Sequence, residues 1–176
     1  MLAAHKEFKK LGYKIEYQSF VDYFPIFRGG FQKKLEHASI KSACRGRHDI
    51  VMMAFHHSTS DLCMKISTEE RIEILKKIKA HCNTLVWLDT ADSTGTCMFD
   101  VMPYVDLYFK KQVLKNTDDY CREVYGTRTF CEYYHDMLKI EDDTITKRYY
   151  PHTEKQYLSK LRVAWNVGIG DRSEER

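Results

Sequence analysis

Apolar residues form short continuous runs that are separated by amphipathic and polar stretches. Residues 49–55 (DIVMMAF) and 84–88 (TLVWL) each contain such a run, and both are typical of strands buried on both faces of a parallel sheet. Residues 67–81 between them have helical spacing, with Ser67 and Glu70 in a capping-box pattern and lysines near the end. A strand, a helix and a strand in this order predict a βαβ unit.

The flanking segments predict further elements of the same kind. We expect helices or helical turns at 2–11, 31–40, 99–102 and 132–138, and strands at 13–20, 105–109 and 161–165. Gly12 stands where the glycine cap of the first helix is expected. The fold class is therefore α/β: a Rossmann-like parallel sheet with helices on both faces, lacking its first strand because Met1 already belongs to a helix. We expect one domain over residues 1–166 and a tail over 167–176.

Composition and charge narrow the class of protein. The 176 residues are 43% hydrophobic and 30% charged, as in ordinary globular domains. The net charge of +3 comes from interspersed signs, which disfavours a nucleic-acid partner. No apolar run approaches the roughly 20 residues of a membrane span, and the start has no signal-peptide core. We expect a cytoplasmic protein with no membrane span, and leave peripheral membrane contact open.

The six cysteines are scattered along the chain, and no two of them form a C-x-x-C pair. This distribution favours free thiols in a reducing compartment. A zinc site built from Cys44, His48, His81 and Cys82 is conceivable, but their spacing fits no common pattern. We therefore predict no metal ligands.

The first candidate site follows the apolar run at 49–55. His56, His57 and Ser58 begin a polar loop there, at the end of the predicted strand. In parallel α/β sheets ligands bind beyond the carboxyl ends of the strands, and histidine is suited to general base catalysis near neutral pH. The alternative is a polar loop whose histidines only hydrogen-bond the backbone.

The second candidate site follows the apolar run at 84–88. Asp89 directly ends the predicted strand, and its burial has a desolvation cost that packing alone does not explain. Beyond it lie one further carboxylate and three hydroxyls suited to binding sugar hydroxyls: Asp92, Ser93, Thr94 and Thr96. Alternatively, Asp92 or Ser93 is only a helix N-cap.

Asp89 also raises the possibility of a phosphatase of the haloacid dehalogenase type. Those enzymes carry D-x-D-x-T after an apolar strand, whereas this chain has D-T-A-D-S-T at 89–94. The extra residue would misplace the second aspartate relative to the magnesium ion. Glycine-rich phosphate loops and the G-x-S-x-G motif are absent from the sequence.

Several segments together resemble the amino-terminal half of bacterial group 1 glycosyltransferases of the GT-B type, which are found in surface-polysaccharide clusters. They are the stretches FKKLGYKIEY at 8–17, HDIVMMAFHHS at 48–58, LVWLDTADSTGT at 85–96, YVDLYFKKQ at 104–112 and LRVAWNVGIGD at 161–171. These stretches are loose patterns that extend over most of the chain.

The resemblance implies two Rossmann-like domains that face a cleft, of which this chain is the acceptor-side domain. His56, His57 and Asp89 would be catalytic, and Ser58, Asp92, Ser93, Thr94 and Thr96 would bind substrate. The partners would be a sugar acceptor, a nucleotide-sugar donor and a carboxy-terminal domain that is missing from this chain. No cofactor is expected, because the nucleotide sugar is a co-substrate that binds mainly to that domain.

Two departures from the family pattern lead us to expect a fragment that is inactive alone: the first strand and the donor-binding domain are both missing. Two other hypotheses stay open. One is a non-catalytic interaction module that recruits partners through an open sheet edge or apolar surface. The other is a small hydrolase or phosphatase that depends on Asp89.

Overall fold

The computed structural model describes residues 5–16, 39–55, 66–91, 94–125, 129–140 and 152–164. The chain divides into two compact units, Met1–Ser39 and Ile40–Arg176. Among the described residues, no helix is both long and apolar enough to cross a membrane.

The described part of the first unit is a short helix, α1 (His5–Lys10). The helix ends in a Schellman-type turn, in which the Tyr13 N–H donates to Phe8 O and the Gly12 N–H donates to Lys9 O. Gly12 has a φ of +85°, a left-handed conformation that glycine adopts without steric cost. The predicted helix is confirmed over residues 5–10, with its glycine cap, and residues 2–4 of the prediction lie outside the described residues. The strand predicted at 13–20 is wrong for residues 13–16, which have no regular structure, and its remainder lies outside the described residues.

The second unit is built on a parallel sheet of four strands in the order β1-β2-β3-β4. The strands are β1 (His48–Phe55), β2 (Cys82–Asp89), β3 (Leu107–Lys110) and β4 (Leu161–Val163). A helical segment at 39–43 precedes β1, and the helix α2 (Thr68–Lys79) connects β1 to β2. Shorter 3-10 helices, Phe99–Tyr104, Thr117–Cys121 and Lys155–Lys160, and the helix α3 (Thr129–Leu138) complete the connections. The predicted α/β, Rossmann-like fold class is thereby confirmed.

The core lies between the sheet and α2. Leu75 and Ile78 of α2 pack with Leu85 and Trp87 of β2, and all four side chains are buried. Alternate residues of β2 therefore face the same side, as strand geometry requires. Among the described strands β1 is at the sheet edge, where Ile50 is 55% exposed and Met52 is 49% exposed. The expectation that the strand at 49–55 is covered on both faces is wrong at Ile50 and Met52.

Candidate functional site

The carboxyl ends of β1 and β2 lie side by side. Both strands are parallel, and their register pairs Phe55, the last residue of β1, with Asp89, the last residue of β2. In the next pair of strands, Asp89 is opposite Lys110, which ends β3. We call these ends of β1, β2 and β3 the strand-end lip. The segments that begin at His56 and after Asp89 consequently leave neighbouring strands at the same edge of the sheet.

Asp89 is buried at this lip, with only 4% of its surface exposed. Its Oδ1 accepts a hydrogen bond of 2.8 Å from the Ala91 N–H. Its Oδ2 accepts a hydrogen bond from the Tyr108 hydroxyl and lies 3.3 Å from Nζ of Lys110. A carboxylate is tolerated in such a place when it is both paired and hydrogen-bonded. The carboxylate of Asp89 is therefore held inward by named donors.

Lys110 and Tyr108 extend these contacts to the segment after β2. Both side chains are fully buried. Lys110 Nζ also donates to the carbonyl oxygen of Thr96 at 2.8 Å, and the Tyr108 hydroxyl accepts from the Met98 N–H at 3.0 Å. We call Asp89, Tyr108 and Lys110 the buried triad. It joins the ends of β2 and β3 to Thr96 and Met98.

A second tyrosine fixes the beginning of the same segment. The Tyr120 hydroxyl donates to the carbonyl oxygen of Thr94 at 2.8 Å and accepts from the Leu114 N–H at 3.0 Å. Its ring meets that of Phe99 edge to face, with centroids 5.0 Å apart. The main chain of residues 94–98 is thus held at both ends, which preorganises whatever binds beside it.

Burial of this region changes its acid–base properties. Burial, together with the negative charge of Asp89, raises the pKa of Tyr108 well above its ordinary value. Burial also raises the pKa of the Cys97 thiol to about 12, although the nearby Lys110 ammonium opposes the change. Both groups are therefore protonated at neutral pH. Neither supplies a base or a nucleophile under those conditions.

The structure describes only some of the residues that the sequence singled out. Asp89 belongs to the buried triad, and the carbonyl oxygen of Thr96 accepts a hydrogen bond from Lys110 of that triad. The carbonyl oxygen of Thr94 is bonded by Tyr120 instead, so both threonines take part through the main chain. The other predicted site residues lie outside the described residues: His56, His57, Ser58, Asp92 and Ser93. Their predicted roles stay predictions.

Sequence reasoning missed Tyr108 and Lys110. The strand sequence LYFK contains a signal for them. Tyr108 and Lys110 are two positions apart, so their side chains lie on the same face of the strand, and that face of β3 is the buried one. A lysine on the buried face of a strand needs an anionic partner. Asp89, at the end of the preceding strand, was the available carboxylate.

The zinc site that the cysteine and histidine positions make conceivable does not form among the described residues. In that part of the chain no group of three or more His, Cys, Asp or Glu side chains is placed to hold a metal ion. The possible zinc ligands Cys44, His48, His81 and Cys82 are all described and do not form such a group. Instead, Nδ1 of His81 lies 2.9 Å from the carbonyl oxygen of Gly46.

Comparisons with models of protein families, with curated proteins and with solved structures gave no match.

Proposed function

We propose that this chain is the acceptor-side half of a GT-B type glycosyltransferase, which moves a sugar from a nucleotide-sugar donor to a polysaccharide or glycolipid acceptor. The observation that supports the proposal best is the strand-end lip. Parallel α/β sheets bind ligands beyond the carboxyl ends of their strands. Here β1 and β2 end in register, so the histidine-bearing and the hydroxyl-bearing segments start from neighbouring strands.

In this proposal the side chains at the lip have different roles. His56 or His57 acts as the general base toward an acceptor hydroxyl, since imidazole titrates near neutral pH. The substrate-binding group supplies hydrogen bonds to sugar hydroxyls: Ser58, Asp92, Ser93, Thr94 and Thr96. The donor binds mainly to a second domain, without a tightly bound cofactor.

Asp89 fits a positioning role better than the catalytic role predicted from the sequence. Its carboxylate is buried and accepts hydrogen bonds from Ala91, Tyr108 and Lys110, so little of it is left for a substrate. Those contacts also weaken the hydrolase hypothesis, which needs Asp89 as an accessible nucleophile. The buried triad holds the main chain at Thr96 and Met98 beside the lip, and Tyr120 holds it at Thr94.

Saccharide binding by the full 176-residue chain tests the proposal. Saturation-transfer NMR against a panel of oligosaccharides should detect binding, and His57→Ala together with Asp92→Asn should abolish it. Asp118→Asn serves as the control, because Asp118 is an exposed residue of the Thr117–Cys121 helix. The absence of saccharide binding, or binding that survives both lip substitutions, would contradict the proposal. Release of nucleoside diphosphate from nucleotide sugars is not expected from this chain alone.

A second candidate function is the non-catalytic interaction module. The observation in its favour is β1, which is at the edge of the described sheet and exposes about half of Ile50 and of Met52. Exposed apolar edge strands recruit partner strands. Light scattering tests this candidate: a molecular mass that stays that of a monomer at all protein concentrations would argue against self-association through this edge.

A further inference from the structure

A second concave site lies at the other end of the strands from the lip. A surface cavity of about 410 Å³ is lined by the carboxyl end of α2, by residues 103–106 before β3, and by Lys160 before β4. Its volume is within the usual range of small-molecule sites, about 300–1,000 Å³. None of the roles proposed above uses this cavity.

The cavity lining carries an excess of positive charge. Three of its residues are lysines, Lys76, Lys79 and Lys160, and its carboxylate is Asp106. Nζ of Lys79 lies 2.6 Å from Oδ2 of Asp106, and this ion pair offsets one of the three positive charges. Glu73 pairs with Lys76, but it is 60% exposed and does not line the cavity, so solvent screens it. The charge of the lining favours an anionic ligand.

Lys79 and Lys160 each keep one N–H bond available. Lys79 donates to Oδ2 of Asp106 and to the carbonyl oxygen of Asn83, both at 2.6 Å. Lys160 donates to the carbonyl oxygens of Met102 and Val105, both at 2.8 Å, and an ammonium group has three N–H bonds. Burial and the nearby Lys79 lower the pKa of Lys160, although Asp106 opposes them. Two ammonium groups thus face one carboxylate in a partly dehydrated place. An added anion would lower their mutual repulsion and accept the remaining N–H bonds.

The cavity lining also includes residues that suit an organic group. Tyr104 and Pro103 belong to the lining, and the Tyr104 ring lies beneath Lys76, whose Nζ is 5.8 Å from the ring centroid. Lysine is a usual phosphate ligand and acts as a point charge. We propose that this cavity binds a small phosphomonoester, with its phosphate between Lys76, Lys79 and Lys160 and its organic part against Tyr104.

The test uses the full 176-residue chain with glycerol 3-phosphate and with inorganic phosphate, by calorimetric titration at constant ionic strength. We expect saturable binding of both compounds, with tighter binding of the ester because its organic group contacts Tyr104. Lys76→Met should weaken binding about tenfold, the effect of losing one charge-assisted contact. Lys160→Met should weaken it further. Lys115→Met is the matched control, because Lys115 is exposed and does not line the cavity.

Three outcomes would overturn the proposal. The first is the absence of saturable binding, and the second is the same titration curve when sodium chloride replaces the phosphate compounds at the same ionic strength. The third is equal weakening of binding by Lys76→Met and Lys115→Met. If Lys160→Met does not fold, because it also loses two hydrogen bonds to carbonyl oxygens, Lys76→Met decides the question. Lys76 is 55% exposed, so its replacement leaves the core intact. Equal affinity for the ester and for free phosphate would contradict the contact between the organic group and Tyr104.

Discussion

At the scale of single residues, we expect Lys110 to have a large effect on the free energy of unfolding. Replacing it with methionine would leave the buried carboxylate of Asp89 without its cationic partner, since the two side chains are 0% and 2% exposed. Removing one member of a buried pair typically costs about 3–5 kcal/mol. We therefore expect Lys110→Met to lower the free energy of unfolding by about 3 kcal/mol, measured by urea denaturation.

Lys155→Met is the matched control for that substitution. Lys155 pairs with Asp118 at 3.2 Å, but its side chain is 78% exposed. Exposed pairs contribute about 0–1 kcal/mol, so the control should change stability little. Equal losses in the two variants would show that the buried triad has no special role in stability.

Cys97 and Tyr108 predict a pH dependence on the alkaline side. Burial raises both pKa values in the folded state, that of Cys97 from 9.0 to about 12. Between pH 9 and pH 12 the unfolded chain binds fewer protons than the native chain. The stabilisation from the protonated thiol is therefore fully present below pH 9 and is lost as the pH rises toward 12. In this range the free energy of unfolding falls by about 1.4 kcal/mol per pH unit for each such proton.

The measurement is the free energy of unfolding at several pH values from neutral to alkaline. In Cys97→Ala the alkaline slope should be smaller by one proton, although the variant is less stable at every pH. An unchanged slope would mean that Cys97 titrates normally in the folded protein. Cys121→Ala is the control, because Cys121 is only partly buried.

At the scale of elements, α2 depends on its amino-terminal cap. Ser67 Oγ accepts from the Glu70 N–H at 3.1 Å, as the capping-box pattern predicts. A hydrogen bond from its own backbone N–H and one from the Ser67 hydroxyl also lower the pKa of Glu69. Ser67→Ala should therefore destabilise the protein by about 1 kcal/mol, whereas Ser67→Asp, which keeps an acceptor, should restore most of it. Thermal denaturation of both variants checks this, and equal losses would exclude a capping role.

The same scale shows what the sequence could predict. The sequence predicts the bounds of six elements within a few residues: β1, α2, β2, β3, α3 and β4. Apolar runs and helical spacing are local signals, and the folded chain keeps them. The position of β1 at the edge was not predictable from its composition, since an apolar run looks the same whether one or both faces are covered. Residues 13–16 alternate like a strand but have no strand partner.

The site was less predictable than the fold. The position of Asp89 at a strand end could be derived from the pattern alone, but its partners depend on strand order and register. Only the parallel pairing of β2 with β3 places Lys110 opposite Asp89. Residues such as Tyr108 and Lys110 are brought to a common point by tertiary pairing, which a single sequence does not encode locally.

At the scale of the whole molecule, the described core belongs to one unit. The clustered core residues extend from Met53 to Leu161 and so fall within the unit Ile40–Arg176. We expect a variant that begins at Ile40 to unfold cooperatively, with a Tm within about 5 °C of that of the full chain, because a loss of 1 kcal/mol shifts Tm by a few degrees at this size.

Shortening the chain from the other end should have the opposite result. A variant that stops at Glu154 loses β4, whose backbone pairs with β3 and whose Leu161 belongs to the core. It also loses Lys160, which donates to the carbonyl oxygens of Met102 and Val105. Because these contacts close the sheet beside β3, we expect no cooperative transition from this variant in calorimetry. If the variant that begins at Ile40 also melts without a cooperative transition, residues 1–39 must supply part of the core, and the boundary between the two units is not a folding boundary.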